Sequence, residues 1–578
     1  MKFLCVLCVL CGLFAQGFAL DREAFTFTTY NLDVRVEPEQ QRLAVRGKIT
    51  LRNDSNGPQK NLSLQISSSL DWRSIQFGGK AVQFVSQPYT SDIDHTGTLS
   101  EAIVTLPVAV PPKGTIELEI GYEGIIPLDT TRLTRIGVPE EVAKHSDWDR
   151  IGKSFTAVRG IGYVAWYPVA TESANLSEGN SLFETLGRWK AREAQSEVKI
   201  KLGYSRDSSE SPPTLLCNGK ETNQLIEEMG GTQYLTADCS FWPLGLIAPA
   251  FVVGQYSILD RQAMTIYHLT EHKSGAENYA LAAELAVPFA AEWFGAPREK
   301  AEVVELADPE AAPFESGSML LTPLNGGDSK LAQLTALHQL THAAFPSARP
   351  WIYEGLAHFA QAAYRERQSG RQAALDFMGL HRTAIADAEK ALAVEHNQGV
   401  GAAESLINTA SEEFYRSKAM CVWWMLRDMV GEEAMKKALA NYRPDQDKQP
   451  SYVQHLLAAQ SKRDLEWFFD DWVYRDRGLP DLRVESAYPR PTVGGGYVVT
   501  VTVENLGNAG AEVPVTLRME GGGVTKRLEV HAKSKASIRI EAASTPHEIV
   551  VNDGSVPESD MSNNTYRIDR HPQVSSPN

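Results

Sequence analysis

The 578-residue sequence predicts a multidomain α+β protein: a β-rich amino-terminal domain, a mixed α/β central domain and a carboxy-terminal β-sandwich. Three observations carry this reading. Apolar and polar residues alternate through much of the first 257 positions, Ala-rich helical patterns take over after Tyr256, and β-branched runs return past Gly478-Leu479-Pro480.

The first 19 residues read as a signal peptide. Lys2 precedes an apolar run from Phe3 to Phe14, and Gly17-Phe18-Ala19 offers small residues where a signal peptidase reads. The run is shorter than the ~20 apolar residues a membrane span needs. Cleavage near Ala19, export to the periplasm or the extracellular space, and no transmembrane span are expected. Residues 20–257 form the β-rich domain. Leu32, Val34 and Val36 alternate, as do Val45, Gly47, Ile49 and Leu51, with a turn at Asn53–Pro58. Gly162–Pro168 reads as an aromatic-rich strand ending. Cys217 and Cys239 fit either a disulfide or two buried thiols, and spacing does not choose. Cys421 reads as core.

Residues 258–480 form the central domain. Helical patterns run over 277–294, 330–345, 351–367, 373–393 and 412–430. Pro350 suits a first helical turn, where its missing N–H costs nothing, and Gly370 suits that helix's end. Residues 481–570 form the β-sandwich, with Tyr497–Val503 as its clearest strand, and 571–578 are a tail. Asp553–Asp560 holds several oxygens without calcium-loop spacing and reads as a solvated turn. Net charge is −16 and no Lys/Arg-rich block interrupts it, which argues against nucleic acid as a partner.

The chemistry concentrates at His338-Gln339-Leu340-Thr341-His342, followed by Glu354 and His358. Two histidines four apart share one helix face and offer two imidazole nitrogens to one tetrahedral Zn²⁺. Glu354, on a largely apolar helix, would add a carboxylate. The residue after the first histidine in such a motif is normally Glu, which takes a proton from the metal-bound water. Gln339 stands there, and a carboxamide cannot take that proton. Glu315 is a conceivable substitute base, and His358 a conceivable partner for Glu354.

With these residues in view, the chain resembles the M1 (gluzincin) family of zinc aminopeptidases. Trp351-Ile352-Tyr353-Glu354-Gly355-Leu356-Ala357 resembles the family's second metal helix, and Phe414-Tyr415 through Lys418 resembles a later helix. The resemblance spans roughly 25–485. It implies a thermolysin-like central domain and one Zn²⁺ held by His338, His342 and Glu354. It also implies an oxyanion-stabilising Tyr415 and a peptide groove beside Gly317, Ser318 and Met319. The sequence departs from the family at Gln339, in a shorter His342–Glu354 interval, and on the expected substrate edge strand at Gly317-Ser318-Met319-Leu320-Leu321, where members carry a Glu that clasps the substrate's amine. The carboxy-terminal segment resembles adhesion-related (CARDB-like) sandwich domains. Two expectations follow: an exported zinc metallopeptidase homologue impaired at Gln339, or a non-catalytic relative that binds a peptide or protein. Oligomeric state is left open.

Overall fold

The computed structural model describes residues 20–178, 181–209, 211–221, 224–298, 300–324, 329–397, 405–409 and 411–568. The expected signal peptide, 1–19, and tail, 571–578, lie outside the described residues. The chain divides into two compact units, Met1–Gln255 and Tyr256–Asn578.

The first unit is built on a sheet whose long members are Thr232–Phe241, Glu197–Arg206, Phe25–Glu37, Arg42–Asn53, Thr115–Ile125 and Leu70–Phe77, in that spatial order. Phe25–Glu37 runs parallel to Glu197–Arg206 and antiparallel to Arg42–Asn53. The alternation read from the sequence is the inward face: Leu32, Val34, Val36, Val45, Ile49 and Leu51 are all buried. Gly47 is needed where it stands, because a Cβ there would lie 2.2 Å from the Asn31 carbonyl oxygen. Cys217 and Cys239 form a disulfide.

Gly162–Pro168 is not a strand. Gly160 and Gly162 both take φ of 95°, which turns the chain out of extended geometry. The segment is nevertheless buried. Its carbonyls are satisfied by both backbone and side chains: Ser67 N–H donates to Ala165 O at 2.8 Å, and Tyr30 Oη donates to Pro168 O and Tyr122 Oη to Trp166 O, each at 2.9 Å.

Glu193, at the end of helix Ser181–Glu193, is fully buried. Burial pushes its carboxyl up to about 7, against the opposing pull of Arg192. A carboxyl whose folded value lies above its ordinary one binds extra protons when folded. Its favourable contribution is complete below about pH 4.5 and is lost as pH rises through about 7. Glu193→Gln is therefore expected to leave stability unchanged at pH 4 and to raise it by on the order of 2–3 kcal/mol at pH 8, in denaturant titrations of this unit. Equal effects at the two pH values would refute the assignment.

In the second unit a mixed sheet runs Ser257–Asp260, Met264–His268, Ala301–Glu305, Met319–Thr322, Phe314–Ser316. Its three inner members are mutually parallel. Met319–Thr322, the strand anticipated at 317–321, is thus internal, and Phe314–Ser316 is the edge among the described residues. Helices α1 (Lys273–Phe294), α2 (Ser329–Ala344), α3 (Pro350–Ser369) and α4 (Ala419–Val430) share one apolar core with the sheet. Pro350 opens α3, and Gly370 closes it with φ of 86°. Two expected helices differ. The 373–393 pattern is two helices, Arg371–Gly379 and Arg382–Asn397, broken around the exposed Leu380. The 412–430 pattern begins as a π-helical turn, Glu413–Lys418, before α4.

Two antiparallel sheets complete this unit: Leu482–Pro491, Tyr497–Asn505 and Lys535–Ala542 in one, and Gly522–Val530, Ala511–Met519, Pro546–Val551 and Thr565–Arg567 in the other. Val499, Val501 and Val503 face inward towards Val513, Val515 and Leu517, the period-2 burial of a sandwich. Asp553–Asp560 is not simply solvated. Ser555, Val556 and Glu558 are buried, and Asp553 accepts a 2.8 Å bond from Arg371 Nε.

Candidate metal centre

The site lies within the second unit and draws on the edge strand, α2, α3 and the π-helical turn. Helix geometry puts His338 and His342 on successive turns of α2, with Nε2 atoms 3.0 Å apart. Both are buried. Tyr353 stacks on His342, with ring centroids 3.8 Å apart and planes at 19°. That contact and burial leave the imidazoles little rotational freedom.

Glu354 enters from α3. Its phase is set by Gly355, where a Cβ would lie 2.7 Å from the Ala419 Cβ, so α3 and α4 touch closely only because no side chain intervenes. One turn earlier, Trp351 stacks on Trp423, whose indole N–H donates to Trp351 O at 3.1 Å. Glu354 then stands with Oε2 3.8 Å from His338 Nε2 and Oε1 4.0 Å from His342 Nε2. Arg416 Nε donates to it at 3.2 Å.

A second carboxylate comes closer. Glu315, on the edge strand, places Oε1 at 3.1 Å from His338 Nε2 and 3.3 Å from His342 Nε2. Its neighbours Phe314 and Ser316 are buried while its own side chain is 35% exposed, as alternation along a strand requires.

These charges hold one another. Removal from water works against the charge on Glu315, but His338 and His342 outweigh it and hold the carboxyl well below the usual range. Burial likewise opposes ionisation of Glu354, and Arg416, then the two histidines, bring it to about 2. His338 is raised: burial opposes its charge, and Glu315 followed by Glu354 outweighs burial. His358, its ring 5.0 Å from His338, is pushed well below its ordinary value by burial and by His338, so it is neutral at pH 7.

A metal fits this donor set. Atoms bound at about 2.0–2.2 Å around a tetrahedral Zn²⁺ lie roughly 3.3–3.6 Å apart. The His–His and His–carboxylate separations of 3.0 to 4.0 Å bracket that range. Two imidazoles and carboxylates suit zinc.

The remaining anticipated residues fall as follows. Gln339 is fully buried between the histidines, and neither its carboxamide O nor its N has a hydrogen-bond partner. Tyr415 is buried, and its hydroxyl donates to Glu412 at 3.1 Å. Arg416 is the residue of that turn that bonds Glu354. Sequence reasoning missed it, because a π turn repeats over more residues than the α spacing used to read it. Gly317 and Ser318 form the hairpin after Glu315, with Gly317 at φ of 65°, and Met319 is buried on the inner strand.

No known protein family matches the sequence, and no curated protein does so either. Among solved structures, the chain is similar to Legionella pneumophila aminopeptidase A in complex with aspartic acid, at TM-score 0.60 and 13% identity over 93% of this chain. The match covers 59% of that protein, so this chain spans well under two thirds of its length. At such identity the likeness is one of architecture: the fold of this chain is M1-aminopeptidase-like.

Proposed function

We propose that this is an exported zinc-binding protein of the metallopeptidase type, in which His338, His342 and Glu354 hold one Zn²⁺ and peptide hydrolysis is slow. The observation that carries this reading is the convergence of two imidazoles and carboxylates from three separate elements at ligand spacing. The disulfide and the leader-like amino terminus support export. Among the described residues no helix is long and apolar enough to cross a membrane.

A zinc ion there supplies a Lewis acid for a peptide carbonyl and lowers the pKa of a bound water. The chain's own residues set how far that chemistry goes. Arg416 orients Glu354. An extended peptide would lie along the edge strand at Phe314–Ser316, beside Gly317, Ser318 and Met319. Leu320 supplies no carboxylate for a free amine, so binding is not restricted to peptide amino termini. Gln339 hydrogen-bonds but takes no proton, which removes a contribution of about 10²–10⁴-fold. Tyr415 reaches an oxyanion only by leaving Glu412. A second reading, peptide or protein binding without turnover, is favoured specifically by Gln339.

Hydrolysis of a peptide library by the zinc-supplemented mature protein, beside His338→Ala, tests the proposal. Slow cleavage that disappears in the variant is expected. Cleavage surviving in His338→Ala contradicts a metal-dependent mechanism. Peptide capture without cleavage by either protein selects the binding reading.

A further inference from the structure

Glu315 comes nearer to both imidazoles than Glu354 does, and nothing in the three-ligand arrangement calls for it. Its Oε1 and the two histidine Nε2 atoms form a nearly equilateral triangle with sides of 3.0, 3.1 and 3.3 Å. Glu354 lies farther off, with Oε2 3.8 Å from His338 Nε2 and Oε1 4.0 Å from His342 Nε2. The three sides of that triangle lie close to the donor spacing of one tetrahedral Zn²⁺, and Glu354 stands just beyond it. The backbone places Glu315 firmly. Its strand pairs with the inner strand through Phe314↔Leu321, Glu315↔Leu320 and Ser316↔Met319, closed by the Gly317 turn.

We propose that Glu315 is a fourth protein ligand that closes the coordination sphere at rest, so that water gains a position on bound zinc only when this carboxylate is displaced, which keeps hydrolysis slow. This rests on the metal site proposed above and sharpens it. Zinc sites that catalyse keep one position open, whereas sites with four protein ligands are structural. Two neutral imidazoles and two carboxylates balance the charge of one divalent cation. The same closure accounts for Gln339: where no water is bound, a proton-accepting Glu at that position has nothing to deprotonate. Of the two carboxylates, Glu315 is the more exposed, at 35% against 15%, so it is the ligand that a competing group reaches first.

Cobalt reports the difference without any need for activity. The mature protein is stripped, loaded with one Co²⁺, and its visible d–d spectrum recorded while azide is added. Glu315→Ala and the near-isosteric Glu315→Gln are treated in the same way. Zinc affinity is measured in parallel by competition with a chromophoric chelator. The native protein is expected to show intense four-coordinate bands that azide does not move. Both variants should still take up Co²⁺, bind zinc at least ~10-fold more weakly, and shift their bands as azide enters the opened position. Azide-sensitive bands in the native protein, or variants equal to it in both spectrum and affinity, overturn Glu315 as a ligand while leaving the His–His–Glu354 site standing. No Co²⁺ uptake by the native protein overturns the metal site itself.

Discussion

Gln339→Glu, introduced into a Glu315→Ala background, is expected to raise peptide hydrolysis by about 10²–10⁴-fold over Glu315→Ala alone, the usual contribution of a positioned general base. The single variant Gln339→Glu should gain much less, because the Glu315 carboxylate competes for the position that water must occupy. The structure makes the substitution nearly isosteric. Gln339 is already fully buried beside both histidines, and its carboxamide makes no hydrogen bond that a carboxylate would break. A new buried carboxylate does cost free energy unless a cation faces it. Zinc should therefore stabilise the double variant against heat more than it stabilises Glu315→Ala alone. If kcat/KM is the same with and without the new carboxylate, position 339 is not where catalysis is limited.

Lys418→Met is expected to destabilise the second unit by about 3–5 kcal/mol. Lys418 is fully buried, and its ammonium is bonded to both Glu389 and Asp476, which are buried as well. Burial opposes its charge, but Asp476 and Glu389 outweigh burial and raise its pKa. Removing the cation leaves two carboxylates facing each other away from water. Lys418 also ends the π turn that carries Arg416, so the loss should loosen Glu354 and weaken zinc binding. Adding Glu389→Gln and Asp476→Asn should recover most of the stability. A calorimetric transition within about 1 kcal/mol of native for Lys418→Met alone would show that the cluster tolerates an unpaired pair of acids.

The features legible in the sequence are those with short-range causes. Four-residue spacing put His338 and His342 together, Pro350 and Gly370 marked the ends of α3, and alternation identified the inward Leu32, Val34 and Val36. What escaped depends on distant contacts or altered local geometry. Glu315 stood out only as a conceivable base near Gly317, because its approach to the imidazoles depends on how the edge strand docks beside α2. Arg416 rather than Tyr415 meets Glu354 because the turn is π-helical, which α spacing does not anticipate. Gly162–Pro168 carried strand-like aromatics, yet two glycines at positive φ turn it into buried irregular chain. The Cys217–Cys239 pairing required the fold to bring two strands together.

The measurement that tests the central claim most directly is metal content. The mature protein is dialysed against zinc and then against metal-free buffer, and elemental analysis is run beside His338→Ala/His342→Ala. Retention of about one zinc per native chain and none in the double variant is the predicted result. Zinc-free native protein, or a double variant that keeps its zinc, would contradict the account.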